Sequence, residues 1–297
     1  MRDQARLGVV YALLAFGAWG FNPIYFKAVG GVPALEVLAH RVLWSVPLLA
    51  LLVTLAGTWP RLRAALAEPR TLLSLVASTL ILSGNWFVYI YAINTERIVE
   101  ASLGYYMNPL LIVLLGVIFL RERLSRLQAL AVLLAAAGVL NLIVQLGTVP
   151  WIALFLAGSF GVYGLIRKVV TLGSIEGLLA ETTLMLPPAL AWIVFIGLRG
   201  EGSFLTGGWG LDILIILAGP VTALPLIWFA SGARRLNYAT VGIFQYIAPS
   251  IQFVLGVFAY DEPFGLAHLI TFACIWTALI IYTTDTLRRA ARSGRRS

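Results

Sequence analysis

The sequence predicts an all-α integral membrane protein with ten transmembrane helices, built as two inverted five-helix repeats. Three observations lead there. The first is composition: 60% of the 297 residues are hydrophobic and only 11% are charged, against about 25% charged in ordinary soluble domains. Mean hydropathy is correspondingly high, at +0.92. The second is where the charges fall. A bilayer core of about 30 Å takes about 20 apolar residues per helix. Residues 7–26, 42–60, 71–95, 101–120, 213–233, 236–260 and 263–284 contain no Asp, Glu, Lys or Arg. The uncharged run 127–166 holds two helices around a turn at Gly147-Thr148-Val149-Pro150, and Glu181 alone interrupts 177–198.

The third observation is internal repetition. Gly104-Tyr105-Tyr106-Met107-Asn108-Pro109 is echoed by Phe244-Gln245-Tyr246-Ile247-Ala248-Pro249. At an offset of 140, Tyr106 falls on Tyr246, Pro109 on Pro249, Gly116 on Gly256 and Glu122 on Glu262. At 141, Gly17 falls on Gly158, Gly20 on Gly161, Lys27 on Lys168 and Pro47 on Pro188. The repeats divide the chain at 1–146 and 147–287, leaving a basic tail at 288–297. An odd number of spans per copy turns the second copy upside down, which is the architecture of alternating access.

Taken in order, helix 1 (about 6–28) carries closely spaced glycines and Asn22-Pro23, a polar group beside a proline at membrane depth. Helix 2 (about 34–57) puts Glu36, His40 and Trp44 on one face, with Arg41 beside them. Ionisable groups at this depth face the bundle interior or snorkel to its edge. The segment 58–70 reads as a basic loop. Helix 3 contributes Asn85, Trp86 and Tyr89; helix 4 contributes Tyr105, Tyr106 and Asn108 before Pro109, the densest polar site of the first half. Helix 5 is apolar. In the second half, helix 6 carries Tyr163, helix 7 Glu181 and Pro187-Pro188, and helix 8 Pro220 and Pro225. Helix 9 carries Gln245, Tyr246, Pro249 and Gln252, and helix 10 is again mostly apolar. Pro109 and Pro249 are expected to break their helices at matching depths.

The net charge of +8 does not point to nucleic acid, because the basic residues sit in alternate loops, apart from Lys27, Arg97 and Arg199 in the others and Arg41 inside a helix. That is the positive-inside pattern, with both termini cytoplasmic, and the run from Arg288 to Arg296 reads as a headgroup anchor. Cys274 stands alone, so there is no disulfide framework. No Gly-x-x-x-x-Gly-Lys-Ser/Thr loop, Gly-x-Ser-x-Gly elbow or metal-ligand spacing occurs. No cofactor, metal or catalytic residue is therefore expected.

On these stretches the chain resembles the drug/metabolite transporter superfamily, specifically its EamA/RarD-type proteins. The resemblance rests on His40-Arg41-x-x-Trp44-Ser45, Gly84-Asn85-Trp86, Glu100 to Leu110 and Glu122-Arg123-Leu124. In the second half it rests on Ser159-Phe160-Gly161-x-Tyr163-Gly164, Glu181-Thr182, Gly219-Pro220-x-Thr222-Ala223 and Gln245-Tyr246-Ile247-x-Pro249. It implies two EamA repeats, a bacterial inner-membrane location and export of small metabolites or drugs. The RarD branch often carries the label chloramphenicol-sensitive protein.

The expected function is secondary active transport, most simply export of an amino-acid-like or aromatic solute, from a midplane cavity. The expected lining is Asn22, Trp44, Asn85, Trp86, Tyr89, Tyr105, Tyr106, Asn108, Tyr163, Gln245, Tyr246 and Gln252. Glu36, His40, Arg41 and Glu181 are the candidates for substrate charge or proton coupling, His40 having the side chain that titrates nearest neutrality. The expected partners are a small-molecule substrate, the lipid bilayer, protons as a coupling ion and a second copy packed through helices 5 and 10. The rivals are a membrane enzyme or lipid-handling protein, which needs its polar clusters at one surface, and a channel, which needs a continuous polar stripe.

Overall fold

The computed structural model describes residues 2–120, 124–170, 172–233, 235 and 244–293, and everything described is helix or short connection, without a strand. The order is α1 (Arg2–Ala28), α2 (Ala34–Leu55), α3 (Trp59–Leu66), α4 (Pro69–Asn94), α5 (Ile98–Leu120), α6 (Arg126–Leu146), α7 (Trp151–Val169), α8 (Ser174–Leu198) and α9 (Trp209–Ala233). Then come α10 (Ile247–Val254), continued by a π-helical turn (Leu255–Ala259), and α11 (Leu266–Ser293). Among the described residues, seven helices are long and apolar enough to cross a bilayer, with shorter apolar helices at Trp151–Arg167 and Ile247–Ala259. α5 adds 23 residues with no charge after Glu100.

Several expectations are corrected. The basic segment 58–70 is not all loop: Pro60 near its start lets Trp59–Leu66 form the short helix α3, which buries Leu62. Helix continues through position 109, because a proline removes one donor and leaves the helix's other backbone hydrogen bonds in place. α8 and α9 likewise run through Pro187-Pro188 and through Pro220 and Pro225. Near Pro249 the helical run is interrupted: Gln245 and Tyr246 form a turn, α10 starts at Ile247, and Pro249 is its third residue, so the interruption lies just before the proline. The basic run after 287 begins as a continuation of α11. The Arg121-Glu122-Arg123 turn, with the Glu122 match to Glu262, and residues 294–297 lie outside the described residues.

Lipid tails are as apolar as leucine, so helices in a membrane associate through close packing and buried polar contacts. α5 crosses α7 at Gly104, where an added Cβ would lie 2.8 Å from the Ala153 carbonyl oxygen. α6 crosses α11 at Gly138, where a Cβ would lie 2.8 Å from that of Cys274. There Thr271 Oγ1 donates to the Gly138 carbonyl at 2.8 Å and Asn141 Nδ2 to that of Ala267 at 3.2 Å. α9 meets α2 at Gly219, whose missing side chain lets the Trp44 carbonyl approach. α1 packs on α9 and α10, α2 on α8 and α9, and α4 on α7 and α8. Side chains of α2, α4, α9 and α10 thereby meet in the interior of the bundle.

Candidate functional site

Arg41 is the centre of that meeting point. Its helix turns it inward, and the residue is only 7% exposed. A charged side chain at the centre of a membrane helix costs about 2.5–3.5 kcal/mol on insertion scales, so its surroundings are informative. Nε donates to Thr222 Oγ1 of α9 at 2.6 Å, and Thr222 in turn donates to the Ala218 carbonyl at 2.8 Å. The guanidinium carbon lies 4.0 Å from the centroid of the Trp86 ring and 5.8 Å from that of Phe26. The hydroxyls of Tyr105, Tyr89 and Tyr25 are within electrostatic reach. The rings of Phe26, Tyr89 and Tyr105 form a continuous edge-to-face series, with centroids 5.7 and 5.6 Å apart. Gln252 of α10 closes the group, donating from Nε2 to the Trp19 carbonyl at 3.0 Å and to Tyr89 Oη at 3.1 Å. Its Oε1 is buried without a hydrogen-bond partner among the described residues.

His40 and Trp44, on the same helix as Arg41, pack against Phe204 with ring centroids 5.0 and 6.1 Å apart. Phe204 belongs to the α8–α9 connection. Glu36 pins that connection, accepting from Ser203 N at 2.7 Å, Ser203 Oγ at 3.0 Å and Phe204 N at 3.3 Å. Both ring nitrogens of His40 and Nε1 of Trp44 are buried and lack partners among the described residues. Such atoms cost about 1–3 kcal/mol each when left unsatisfied, and they cluster beside Arg41 in sequence.

Glu181 forms a second group. It is fully buried on α8, accepts from Ser78 Oγ at 2.6 Å and from Tyr163 Oη at 3.1 Å, and has Arg167 Nη1 at 4.0 Å. Ser78 is not among the residues that the sequence marks as candidates, and Thr222 is marked only as part of Gly219-Pro220-x-Thr222-Ala223. Ser78 shares a helical stripe with Leu82, Asn85 and Tyr89, and that spacing was the available signal.

The remaining expected lining residues divide differently. Asn85 is turned onto α7, where Nδ2 donates to the Leu156 carbonyl at 3.1 Å and to Ser159 Oγ at 2.8 Å. Tyr106 is on the other side of α5. Its hydroxyl is 2.6 Å from that of Ser250, and its ring packs against Tyr246, Phe272 and Trp276 in an aromatic core. Ser102 donates to the Pro249 carbonyl at 2.9 Å, fixing α5 to α10. Asn22 and Asn108 are both buried, with Oδ1 of Asn108 unpartnered among the described residues, while Gln245 is half-buried in its turn. An apolar groove of about 350 Å³ lies elsewhere, between α5, α6 and α7, lined by residues such as Met107, Leu111, Val139 and Leu154.

At one end of the bundle, Glu262 caps α5: its two oxygens accept from Ile98 N and Val99 N, each at 2.7 Å. Carboxylates suit the exposed amides of a helix N-terminus. Burial pushes the Glu262 carboxyl above its ordinary value, while the Val99 and Ile98 amides and Lys27 pull it back. Glu100 caps α7 in the same manner, through Ile152 N at 3.0 Å. Among the described residues no group of three or more His, Cys, Asp or Glu is placed to hold a metal ion.

Residues 6–144 match the model of the EamA-like transporter family. An "Uncharacterized transporter" of Vibrio cholerae is 45% identical, over 99% of this chain and 98% of its own. The chain belongs to the EamA-like transporter family. Other members similar to it are "Uncharacterized transporter YojE" of Bacillus subtilis, 44% identical over 98% of each chain, and "Protein RarD" of Escherichia coli, 41% identical over 98% of this chain and 99% of that one. A solved crystal structure of a protein shares the fold, with a TM-score of 0.60 at 23% identity over 95% of this chain and 97% of that one. Family and apolar helices together make this EamA protein a multi-pass bacterial membrane transporter.

Proposed function

We propose that this EamA protein is a secondary active exporter of small metabolites or drugs, working by alternating access around Arg41. The observation that carries the reading is the composition of the central site. Phe26, Arg41, Trp86, Tyr89 and Tyr105 come from the first half of the chain, Thr222 and Gln252 from the second. A site built between two halves can be uncovered toward either side by moving one half against the other.

The inverted-repeat reading, with repeats 1–146 and 147–287, is supported by how the helices pair. Helix 1 of each copy packs on helix 3 of the other (α1 with α9, α7 with α4) and on helix 4 of the other (α1 with α10, α7 with α5). Helices 2 and 3 cross-pair as well (α2 with α9, α8 with α4), and the equivalent helices α2 and α8, and α6 and α11, pack on one another. Both termini are cytoplasmic in the inner membrane, a placement supported by the loop arginines. Glu181 is the proton-coupling residue: it is buried between the Ser78 and Tyr163 hydroxyls, which donate to its carboxylate and can accept from the acid, and Arg167, whose charge favours the ionised form. The exposed outer faces of α6 and α11, with Leu133, Leu140, Leu269 and Ile280, are offered to lipid or a second copy.

Proteoliposomes carrying the protein, given an imposed proton gradient and a mixture of bacterial metabolites and aromatic drugs, test this reading. Mass spectrometry of the trapped contents should find at least one solute concentrated above its level in protein-free liposomes, and Arg41→Ala should abolish the excess. Contents identical to those of protein-free liposomes would overturn it.

A further inference from the structure

The central site differs from most buried arginines in what it lacks. Among the described residues, Nε of Arg41 is satisfied by Thr222, but Nη1 and Nη2 meet no hydrogen-bond acceptor and no carboxylate pairs with the side chain. Among the described residues the groups placed against it are uncharged: Tyr25 and Phe26 from α1, Trp86 and Tyr89 from α4, Tyr105 from α5 and Thr222 from α9. The buried carboxylates Glu36 and Glu181 are engaged elsewhere, Glu36 by Ser203 and Phe204, Glu181 by Ser78 and Tyr163. A buried cation is ordinarily paired. Here aromatic faces stand in for an anion, an arrangement weaker than a true ion pair.

We infer that the site receives a small aromatic monoanion, with the free edge of the Arg41 guanidinium as the anchor for its carboxylate. A guanidinium presents two parallel N–H groups that match a carboxylate edge to edge, and Nη1 and Nη2 keep their donors for that purpose. Tyr105 supplies a hydroxyl from α5, and the Phe26, Tyr89 and Tyr105 rings supply an aromatic surface for a planar body. The unpartnered Nε1 of Trp44 is a further donor toward an acceptor-rich ligand. The same surroundings offer no carboxylate to an ammonium group. The free acid is therefore preferred over both its amide and its α-amino derivative, so the site selects organic acids ahead of amino acids. This rests on the Arg41 centre being the transport site.

The test uses the full-length protein in lipid nanodiscs at a pH where the acids are ionised. Calorimetric titration compares benzoate, 3-phenylpropanoate and indole-3-acetate with their primary amides, and 3-phenylpropanoate with phenylalanine. At least one acid should bind about tenfold or more tightly than its amide, the worth of a charged hydrogen-bonded contact, and 3-phenylpropanoate should bind more tightly than phenylalanine. In Arg41→Gln the acid and amide should become equal. If that variant does not fold, Tyr105→Phe and Thr222→Val, each conservative in volume, should narrow the ratio, and the wild-type ratio stands as a test by itself. An amide equal to its acid in every pair, no acid bound at all, a ratio that survives Arg41→Gln, or tighter binding of phenylalanine overturns the inference. If these results come while the metabolite mixture still loads liposomes in an Arg41-dependent way, only the ligand class falls. If nothing is loaded either, the transport reading falls with it.

Discussion

Tyr106 and Tyr246, 140 positions apart in the chain, lie face to face with ring centroids 6.5 Å apart and planes 17° from parallel. In the proposed inverted repeat they are equivalent residues, so the pseudo-two-fold axis passes between them. Contact between equivalent positions is what an isologous interface produces. Stacked pairs contribute about 0.5–1.5 kcal/mol beyond the area they bury. Tyr106→Ala and Tyr246→Ala should therefore be coupled by about that amount in a double-mutant cycle of unfolding in detergent. Strictly additive losses would mean that the stacking contributes nothing to joining the halves.

Asn85 was expected to face substrate and instead ties α4 to α7. Interhelical hydrogen bonds in membranes are worth about 0.6 kcal/mol on average, up to about 1.7. Asn85→Ala should lower the melting temperature slightly and leave the affinity for any transported solute unchanged. A loss of affinity without a loss of stability would return Asn85 to the binding site.

The crossing of α2 and α9 at Gly219 leaves no room for a side chain, since a Cβ there would run into the Trp44 carbonyl. Gly219→Ala must push apart the two helices that hold Arg41 and Thr222. Transport should fall at least about tenfold, as small misplacements within such a constellation can cost far more. Wild-type rates in that variant would show that the crossing tolerates separation.

Glu262 gives a prediction with a sign. Its folded pKa is raised, chiefly by burial, so the protonated form is favoured by folding. Its titration therefore leaves its stabilising contribution whole below the unfolded carboxyl value and removes it as pH rises through the folded one. Between about pH 4.5 and that raised value, the wild-type melting temperature should fall relative to that of Glu262→Gln. Parallel curves for the two proteins would contradict the shift. Glu262→Ala, which leaves the Ile98 and Val99 amides without an acceptor, should cost about 1–3 kcal/mol at acid pH and less as pH rises through the raised value.

If protons drive transport through Glu181, Glu181→Gln should abolish the pH dependence of solute uptake into liposomes while leaving equilibrium binding measurable. Unchanged pH dependence would remove Glu181 from the mechanism.

How much of this was legible in the sequence depends on what each feature needs. Helix positions follow from charge-free length, which is local, and the long apolar helices fall where that length put them. The inward placement of Arg41 was legible as a cost, because a charge at that depth demands company. Which company was not. Thr222 lies 181 residues away on another helix, and nothing local marks a threonine as the partner of an arginine. Tyr106 and Tyr105 are neighbours, yet a rotation of one residue along α5 sends Tyr105 to the Arg41 centre and Tyr106 to the aromatic core. Pro109 misled for a related reason, since whether a proline breaks a helix depends on what surrounds it.

The central claim is that a site around Arg41 is opened alternately to the two sides by motion between the halves. Distances between paired spin labels test it most directly, in a Cys274→Ser background in nanodiscs, with labels at Glu96 and Pro263 at one end of the bundle and at Arg70 and Arg235 at the other, all exposed. The account predicts two distances for each pair, with conditions that lengthen one pair shortening the other. A single unchanging distance at both ends, in a protein that still transports, would contradict it.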